Sequence, residues 1–506
     1  MKRILAALLV LLLALCCLSL LNSALFLASY THTTVKPLVH KPNDKGHTFN
    51  KTGLRVNQDR LTVLVASAVE SKFETLKVHE CQQSIPSKEN IEWNNTYWQK
   101  VSGRNIFLYS AHYDARFVYQ LNTYHYVRVI GMSIGKLKPE EKYYCSLWYN
   151  HINNPIVVEA EVKEVWVTRW NKDATSDAHH AYMFVCPVPL DIQESKSYTE
   201  YVSISSDSCG LLTNLLPVQR KGLIERRNGK LKKKYAICVK GLDLNEDYSI
   251  RLVEWIEMNF ILGADKIFMY QYRVHPNVSL VLDYYIKKGK VEVIPLTLPG
   301  TQPNDPEERS LYIKRQIWQK RRNEIVPYND CLYKNLYTYN FIIPLDIDEV
   351  IVPVNAYNWP EMFGKIFKED PNALKKYSSF SVQNAYFFNF FTQTESNLKI
   401  PEEYHMLRHT IRSANFSLYG HSVKSFVSTK TTLTVFNHYT LEGLYYKVKP
   451  NQVLPSSMVQ LNHYKARCPR DMFSQCRDNF LVYKKEDPLI LKYKEKLMEN
   501  VKNVLQ

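Results

Sequence analysis

Asp346, Asp348 and Glu349 stand together inside an otherwise apolar run, "FIIPLDIDEVIVP" (341–353). Burying unpaired carboxylates costs several kcal/mol, so these acids must either end a strand in water or meet a cation. On an extended segment side chains alternate faces, which puts Asp346 and Asp348 on one side and turns Ile347 back into the protein. Two hard oxygen donors at a strand end suit Mg²⁺ or Mn²⁺, and an ion held there can neutralise a diphosphate. Glu349 is left with a supporting role in the loop.

The elements that must position this pair are legible on the N-terminal side. "YAICVKGL" (235–242) reads as a strand. "YSIRLVEWIEMNFILGA" reads as a helix, with Ile250, Val253, Ile256 or Glu257, and Phe260 near helical spacing and Gly263 as its stop. "KIFMYQY", "NVSLVLDYYIKKG" and "VEVIPLTL" continue as strand, helix ending at Gly289, and strand. This βαβαβ order predicts a parallel sheet with right-handed crossovers and a ligand beyond the carboxyl ends of its strands. Helical segments around 306–338 then lead into the acidic strand. Further upstream, from about 80 to 210, short β-branched and aromatic runs broken by Asn, Gly, Asp and Pro predict an antiparallel β domain.

The N-terminus bears on the compartment. Lys2 and Arg3 precede an uncharged run from Ile4 to about Tyr30. It is longer than the apolar core of a cleaved signal peptide, and its flanking charge predicts a single-pass type II anchor with the rest of the chain lumenal. The expected organisation is a cytosolic tail (1–3), a transmembrane signal-anchor (4–28), a stem (29–80), a β-rich accessory domain (81–215) and a catalytic domain (216–506). Outside Cys16 and Cys17 there are eight cysteines, an even number that an oxidising lumen can pair. Cys468 and Cys476 are close enough to close a local loop; the other pairings stay open. Sequons at Asn94, Asn277 and Asn415 fit glycosylation in the same compartment. The net charge of +16 can attract an anionic substrate such as a nucleotide diphosphate. Nucleic acid is the wrong partner for a lumenal chain, so the basic stretches "KLKKK" (230–234) and "KRQIWQKRR" (314–322) read as solvated faces.

Four motifs in order carry a resemblance: "YAICVKGLDL" with "RLVEWIEMNFILGADKIFMYQY", then "VPYNDCLYKN", "FIIPLDIDEVIVP" and "NHY" (462–464). Together they resemble glycosyltransferase family 92 over roughly 200–480. Upstream, "LYSAHYDARFVYQ" and "VRVIGMS" also look like the family's N-terminal part. The resemblance implies a GT-A type, Rossmann-like α/β catalytic domain. It also implies inverting β-1,4-galactosyl transfer from UDP-galactose with a divalent metal, Mn²⁺ or Mg²⁺, on a Golgi membrane. Acceptors in the family include core fucose and terminal galactose of N-glycans in animals and galactan in plants. Carried onto this chain, Asp346 and Asp348 become the D-x-D pair, the first toward the nucleotide sugar and the second on the metal. His463 matches the late His-Tyr as a further metal ligand, with His438 in "VFNHYT" as its rival.

An inverting transfer also needs a carboxylate base for the acceptor hydroxyl. Glu395, in the aromatic-flanked "YFFNFFTQTE", is the acceptor-side choice, among alternatives Glu349, Glu361, Glu402 and Glu403. Lys240, Asn329 and Asp330 are candidates to touch the nucleotide. Two rival readings stand beside this one. "GMSIG" (131–135) satisfies the nucleophile-elbow pattern around Ser133, but the polar "KLKPEEKYY" that follows is no packed helix, so Ser133 reads as a strand residue. The other rival is a membrane-anchored, non-catalytic glycan-binding protein.

Overall fold

Long β-branched and aromatic runs without helical period pair as strands between Ile106 and Gln219. A computed structural model describes residues 73–119, 122–167, 170–171, 174–194, 197–223, 233–393, 399–418, 420–468 and 473–506. The expected anchor and most of the expected stem lie outside the described residues. Among those described, no helix is long and apolar enough to cross a membrane.

Strand Ile106–Tyr119 pairs with Asn122–Ile134, and antiparallel neighbours continue through His179–Pro187, Ile156–Glu164, Tyr143–Tyr149, Thr199–Ser205 and Leu216–Gln219. Leu216–Gln219 also pairs in parallel with Ile106–Tyr119. The expected antiparallel domain is therefore a seven-stranded ring closed by one parallel pair, which leaves no open edge within the ring. Ser133 lies in the second of these strands, buried, with its hydroxyl donating to the Ile134 carbonyl, so the nucleophile reading has no support here.

The second half is built on a parallel sheet. Strand β1 (Lys233–Leu244) leads to helix α1 (Ser249–Leu262), β2 (Lys266–Val274), α2 (Pro276–Lys287) and β3 (Val291–Pro295). After two short helices, α3 (Ile325–Lys334) leads to β4 (Tyr339–Pro344). Within a seven-stranded sheet the order β3-β2-β1-β4 is all parallel, so the βαβαβ expectation holds, and an antiparallel neighbour continues the sheet beyond β4. Gly263 ends α1 in the left-handed region, as its position predicts. The buried surface of α1 is wider than the single stripe foreseen: Ile250 is exposed, whereas Leu252, Glu254, Trp255 and Met258 are buried.

Both faces of this sheet are covered, which explains its continuous apolar strands. Tyr235, Ile237 and Val239 of β1 face one core, shared with α1 and α2. Ala236 and Cys238 face another, which also contains α3 and the barrel. The barrel thus serves as an outer layer on the parallel strands. The Arg-rich stretch at 314–322 departs from a solvated face, because Arg322 is buried over the Trp166 ring and within 3.3 Å of His180.

Charged contacts also join barrel and sheet. Asp114 is buried between Arg116, at 2.7 Å, and Arg128, at 2.6 Å. Arg116 donates onward to the carbonyls of Thr429 and Thr432. Burial pushes the Asp114 carboxyl up, but the two guanidinium groups overcome it and hold it well below the ordinary range. Disulfides Cys81–Cys209 and Cys145–Cys186 tie the barrel region, Cys238–Cys331 ties β1 to α3, and Cys468–Cys476 closes the expected local loop.

Replacing Asp114 by Asn strands two buried cations and should cost about 3–5 kcal/mol of stability in urea titration at neutral pH. Because this carboxyl is depressed in the folded state, its contribution is complete above about pH 4 and drains away as pH falls further. The variant should therefore lose less stability than the wild type between pH 5 and 3, and an equal loss would remove Asp114 from this role.

Candidate active site

The run that opened the sequence reading folds as two strands with a turn between them. After β4 the chain turns at Ile347–Asp348 and resumes as β5 (Glu349–Pro353). The Glu349 carboxylate closes the turn by accepting the Asp346 backbone N–H at 3.0 Å. Oxygens of Asp346, Asp348 and Glu349 come within 4.8 Å of one another. Ile347 is half-buried and lines the neighbouring cleft, so it does not turn wholly into the core.

Distant elements close around this turn. Helix α4 (Trp359–Glu369) follows β5, and Trp359 Nε1 donates to the Ile351 carbonyl. Strand β6 (Asn384–Phe388), helix α5 (His405–Arg408), strand β7 (Lys424–Ser428) and strand β8 (Val459–Lys465) complete the frame. Strand β8 pairs antiparallel with β5, with Glu349 opposite His463, and parallel with β6. That register places His463 beside the acids, more than a hundred residues away in sequence. Strand β7 pairs with β4 and brings in Lys424.

Each acid meets a base. Asp346 lies 3.2 Å from Lys240 and 3.1 Å from Lys424. Lys424, with 1% of its side chain exposed, also lies 3.2 Å from Glu349. Asp348 is 2.9 Å from Lys465 and 3.4 Å from His463 Nε2. Burial pushes both aspartates up, yet Lys240 and Lys424 hold Asp346 well below the usual carboxylate range, and His463 with Lys465 does the same for Asp348. Both acids remain ionised at neutral pH.

Two buried polar atoms of the cluster make no hydrogen bond: Asp346 Oδ1, whose contact with Lys240 is an ion pair only, and His463 Nε2. The Asn384 side-chain amide meets His463 Nδ1 at 2.8 Å and Glu349 stands 3.3 Å from the same atom, so the ring is held with Nε2 toward Asp348. A carboxylate oxygen and an imidazole nitrogen left open beside a second carboxylate fit a divalent cation such as Mn²⁺ or Mg²⁺. His438, the rival ligand, donates from Nδ1 to the Val423 carbonyl, and no ion pair ties it to the acids.

Other sequence candidates fall elsewhere. Asn329 spends its amide on Ile325 and Val435 backbone groups, and Asp330 is buried between His112 of the barrel and Tyr270 of β2. Both fasten α3 between two layers, so the nucleotide role expected of them is corrected to a structural one. Lys240, by contrast, does reach the acids, bridging Asp346 and Glu324. Beside it, a Cβ at Gly241 would stand 2.3 Å from the Tyr272 ring, so that close approach requires glycine. Glu361 accepts the Tyr357 backbone N–H at the start of α4, and Glu395 lies outside the described residues. Sequence reasoning missed Lys424, Lys465 and Glu254. The signals were present: a lysine inside the strand "VKSFVS", a basic residue two places after His463 on the same strand face, and a glutamate amid apolar neighbours on α1.

A cleft of about 410 Å³ opens at Asp348, lined among others by Tyr248, Arg251, Glu254, His405 and Lys465. It adjoins a second chamber of about 530 Å³ through shared residues Arg251, Asn389 and His405. A basic, metal-compatible turn beyond a parallel sheet, next to an open cleft, is suited to holding a diphosphate while a second substrate approaches.

The sequence profile of glycosyltransferase family 92 matches residues 233–501, just over half of the chain. It starts with β1 and ends in the C-terminal helix, so it covers the catalytic sheet and leaves out the barrel. The beta-1,4-galactosyltransferase galt-1 of Caenorhabditis elegans is 29% identical over 123 residues, 24% of this chain and 26% of that protein. The match spans about a quarter of the relative's length.

Two measurements check the site's construction. Lys424→Met should cost about 3–5 kcal/mol in thermal unfolding, because it leaves buried acids unmatched. Lys465→Met, at a more exposed pair, should cost under about 1 kcal/mol, and equal losses would contradict the difference in burial. Among the sequons, Asn94 uses both ends of its amide on Gly300, whereas Asn277 and Asn415 are exposed. Glycopeptide mass spectrometry should therefore find Asn277 and Asn415 occupied more than Asn94, and predominant occupancy of Asn94 would contradict the folded pairing.

Proposed function

Because the chain belongs to glycosyltransferase family 92, we propose that it is an inverting β-1,4-galactosyltransferase that moves galactose from UDP-galactose to a glycan acceptor. Terminal galactose and core fucose of N-glycans are the acceptors proposed first. The observation that carries this reading is the convergence of Asp346, Asp348 and His463, with open atoms on Asp346 and His463, at the carboxyl end of parallel strands beside a cleft. The sheet order β3-β2-β1-β4 supports a GT-A type reading of the catalytic half. Galactose as the transferred sugar is supported by the name of the nematode relative.

In this reading Asp346, Asp348 and His463 hold Mn²⁺ or Mg²⁺, whose chemistry when bound is Lewis-acid neutralisation of the diphosphate as UDP departs. Lys240 and Lys465 supply positive charge around the same phosphates and fix the carboxylates in their ionised form. The acceptor approaches through the cleft, where Tyr248 offers ring surface to a sugar. Glu395 stays the proposed base; the described chain just before it, Asn389 to Gln393, lines the second chamber. The four disulfides support a lumenal location, and a Golgi type II anchorage through residues 4–28 is proposed with it.

The purified protein should hydrolyse UDP-galactose slowly and transfer it faster to galactose- or fucose-terminated glycans, in both cases only with Mn²⁺ or Mg²⁺ present. Asp348→Ala should lower turnover roughly a hundredfold or more with little change in melting temperature, since that side chain is partly exposed. Metal-independent behaviour together with a wild-type-like Asp348→Ala would instead favour the non-catalytic glycan-binding alternative.

A further inference from the structure

Among the described residues, the cleft beside Asp348 carries more positive charge than its acids can account for. Arg251, Arg408, Lys465 and Arg467 all line its two chambers. Lys465 is matched by Asp348. Among the described residues, Arg251 and Arg467 make no ion pair, and Arg408 reaches only Glu402, at 3.4 Å, a carboxylate whose side chain is 93% exposed. So exposed a pair is screened and weak.

The remaining acid on the cleft wall is Glu254. It is buried on α1 and accepts the Met406 backbone N–H at 2.9 Å, fastening the start of α5. Burial pushes its carboxyl up to about 8, against the pull of the Met406 and Leu407 amides, so at neutral pH it offsets little of the neighbouring positive charge. His405 and His409 stand with rings 4.2 Å apart, and burial keeps both pKa values below the ordinary histidine value. They add hydrogen-bonding edges rather than charge.

Position separates the two chambers by task. The acids and three of the lysines gather at one end, where charges for a nucleotide diphosphate are already present. The second chamber has none of the three clustered acids. It has Arg251 and Arg408 beside Phe390, which is 53% exposed and stacked on Phe388. An exposed aromatic ring next to one unpaired and one weakly paired guanidinium group suits a sugar ring that bears an oxyanion, since the aromatic ring takes the apolar face and arginine takes the charge.

We propose that the second chamber is an acceptor subsite for an acidic saccharide, with Arg251 and Arg408 binding a carboxylate, sulfate or phosphate ester near the sugar that receives the transfer. This rests on the transferase reading and narrows its acceptor class.

The test uses matched oligosaccharide acceptors with the same terminal galactose: one neutral, one with an adjacent uronic or sialic acid, one with a sulfate and one with a phosphate. Calorimetric binding without donor and transfer kinetics with UDP-galactose and Mn²⁺ are both read. At least one acidic acceptor should bind roughly tenfold more tightly than the neutral one at low salt and lose that advantage as salt rises. Which acid does so identifies the group. Arg251→Gln and Arg408→Gln should each collapse the acidic-to-neutral ratio of KM, and Arg408→Lys should retain part of it.

Equal binding of neutral and acidic acceptors overturns the inference, as does an unchanged ratio in both glutamine variants. A rise in KM for UDP-galactose with the ratio unchanged also overturns it and assigns the arginines to the donor. The calorimetric arm needs no turnover, so a protein that binds the acidic saccharide but never consumes UDP-galactose upholds the subsite and defeats the transferase reading instead.

Discussion

Lys424 is nearly inaccessible to water, and a lysine in that position is tolerable only against anions. Asp346 and Glu349 provide them. The same contact fixes the turn between β4 and β5, because Glu349 simultaneously holds the Asp346 backbone and faces the His463 ring. The Asp346 carboxylate is therefore ionised, and the turn oriented, before any ligand arrives. Loss of that one cation would leave acids in a low-dielectric site and unfasten the turn that aims Asp348 at the cleft.

Everything around that contact depends on a sheet buried on both faces. Helices α1 and α2 cover one side in the usual α/β manner, while α3 and a closed barrel cover the other. The barrel is continuous with the core of the second half through apolar contacts, through His112 and Asp330, and through the reach of Arg116 to Thr429 and Thr432. The family match stops at β1, yet the sheet would expose an apolar face without the barrel. Physically the barrel acts as a layer of the protein's core as much as an appended domain.

The βαβαβ unit was readable because strands buried on both faces appear as short continuous apolar runs and because Gly263, just past the last apolar turn of α1, takes the left-handed conformation that ends it. The acidic turn was readable because charge inside an apolar run is costly and local. Asn329 and Asp330 were misjudged for the opposite reason. On α3 they look like polar surface, and only the barrel strand that brings His112 against Asp330 shows them buried. The width of α1's buried surface likewise came from a second layer of partners that periodicity cannot see.

The sequence by itself determined where charge could not be left unpaired, which segments alternate as strand and helix, and which residues resemble a known family. Each is a local property of the chain. Tertiary structure decided which partners answer those charges: Lys424 from β7, His463 and Lys465 from β8, Lys240 from β1. It also decided that arginines scattered from Arg251 to Arg467 share one cleft. Those outcomes depend on strand register and layer packing, which set distances between residues far apart in sequence, and pattern along the chain carries no measure of such distances.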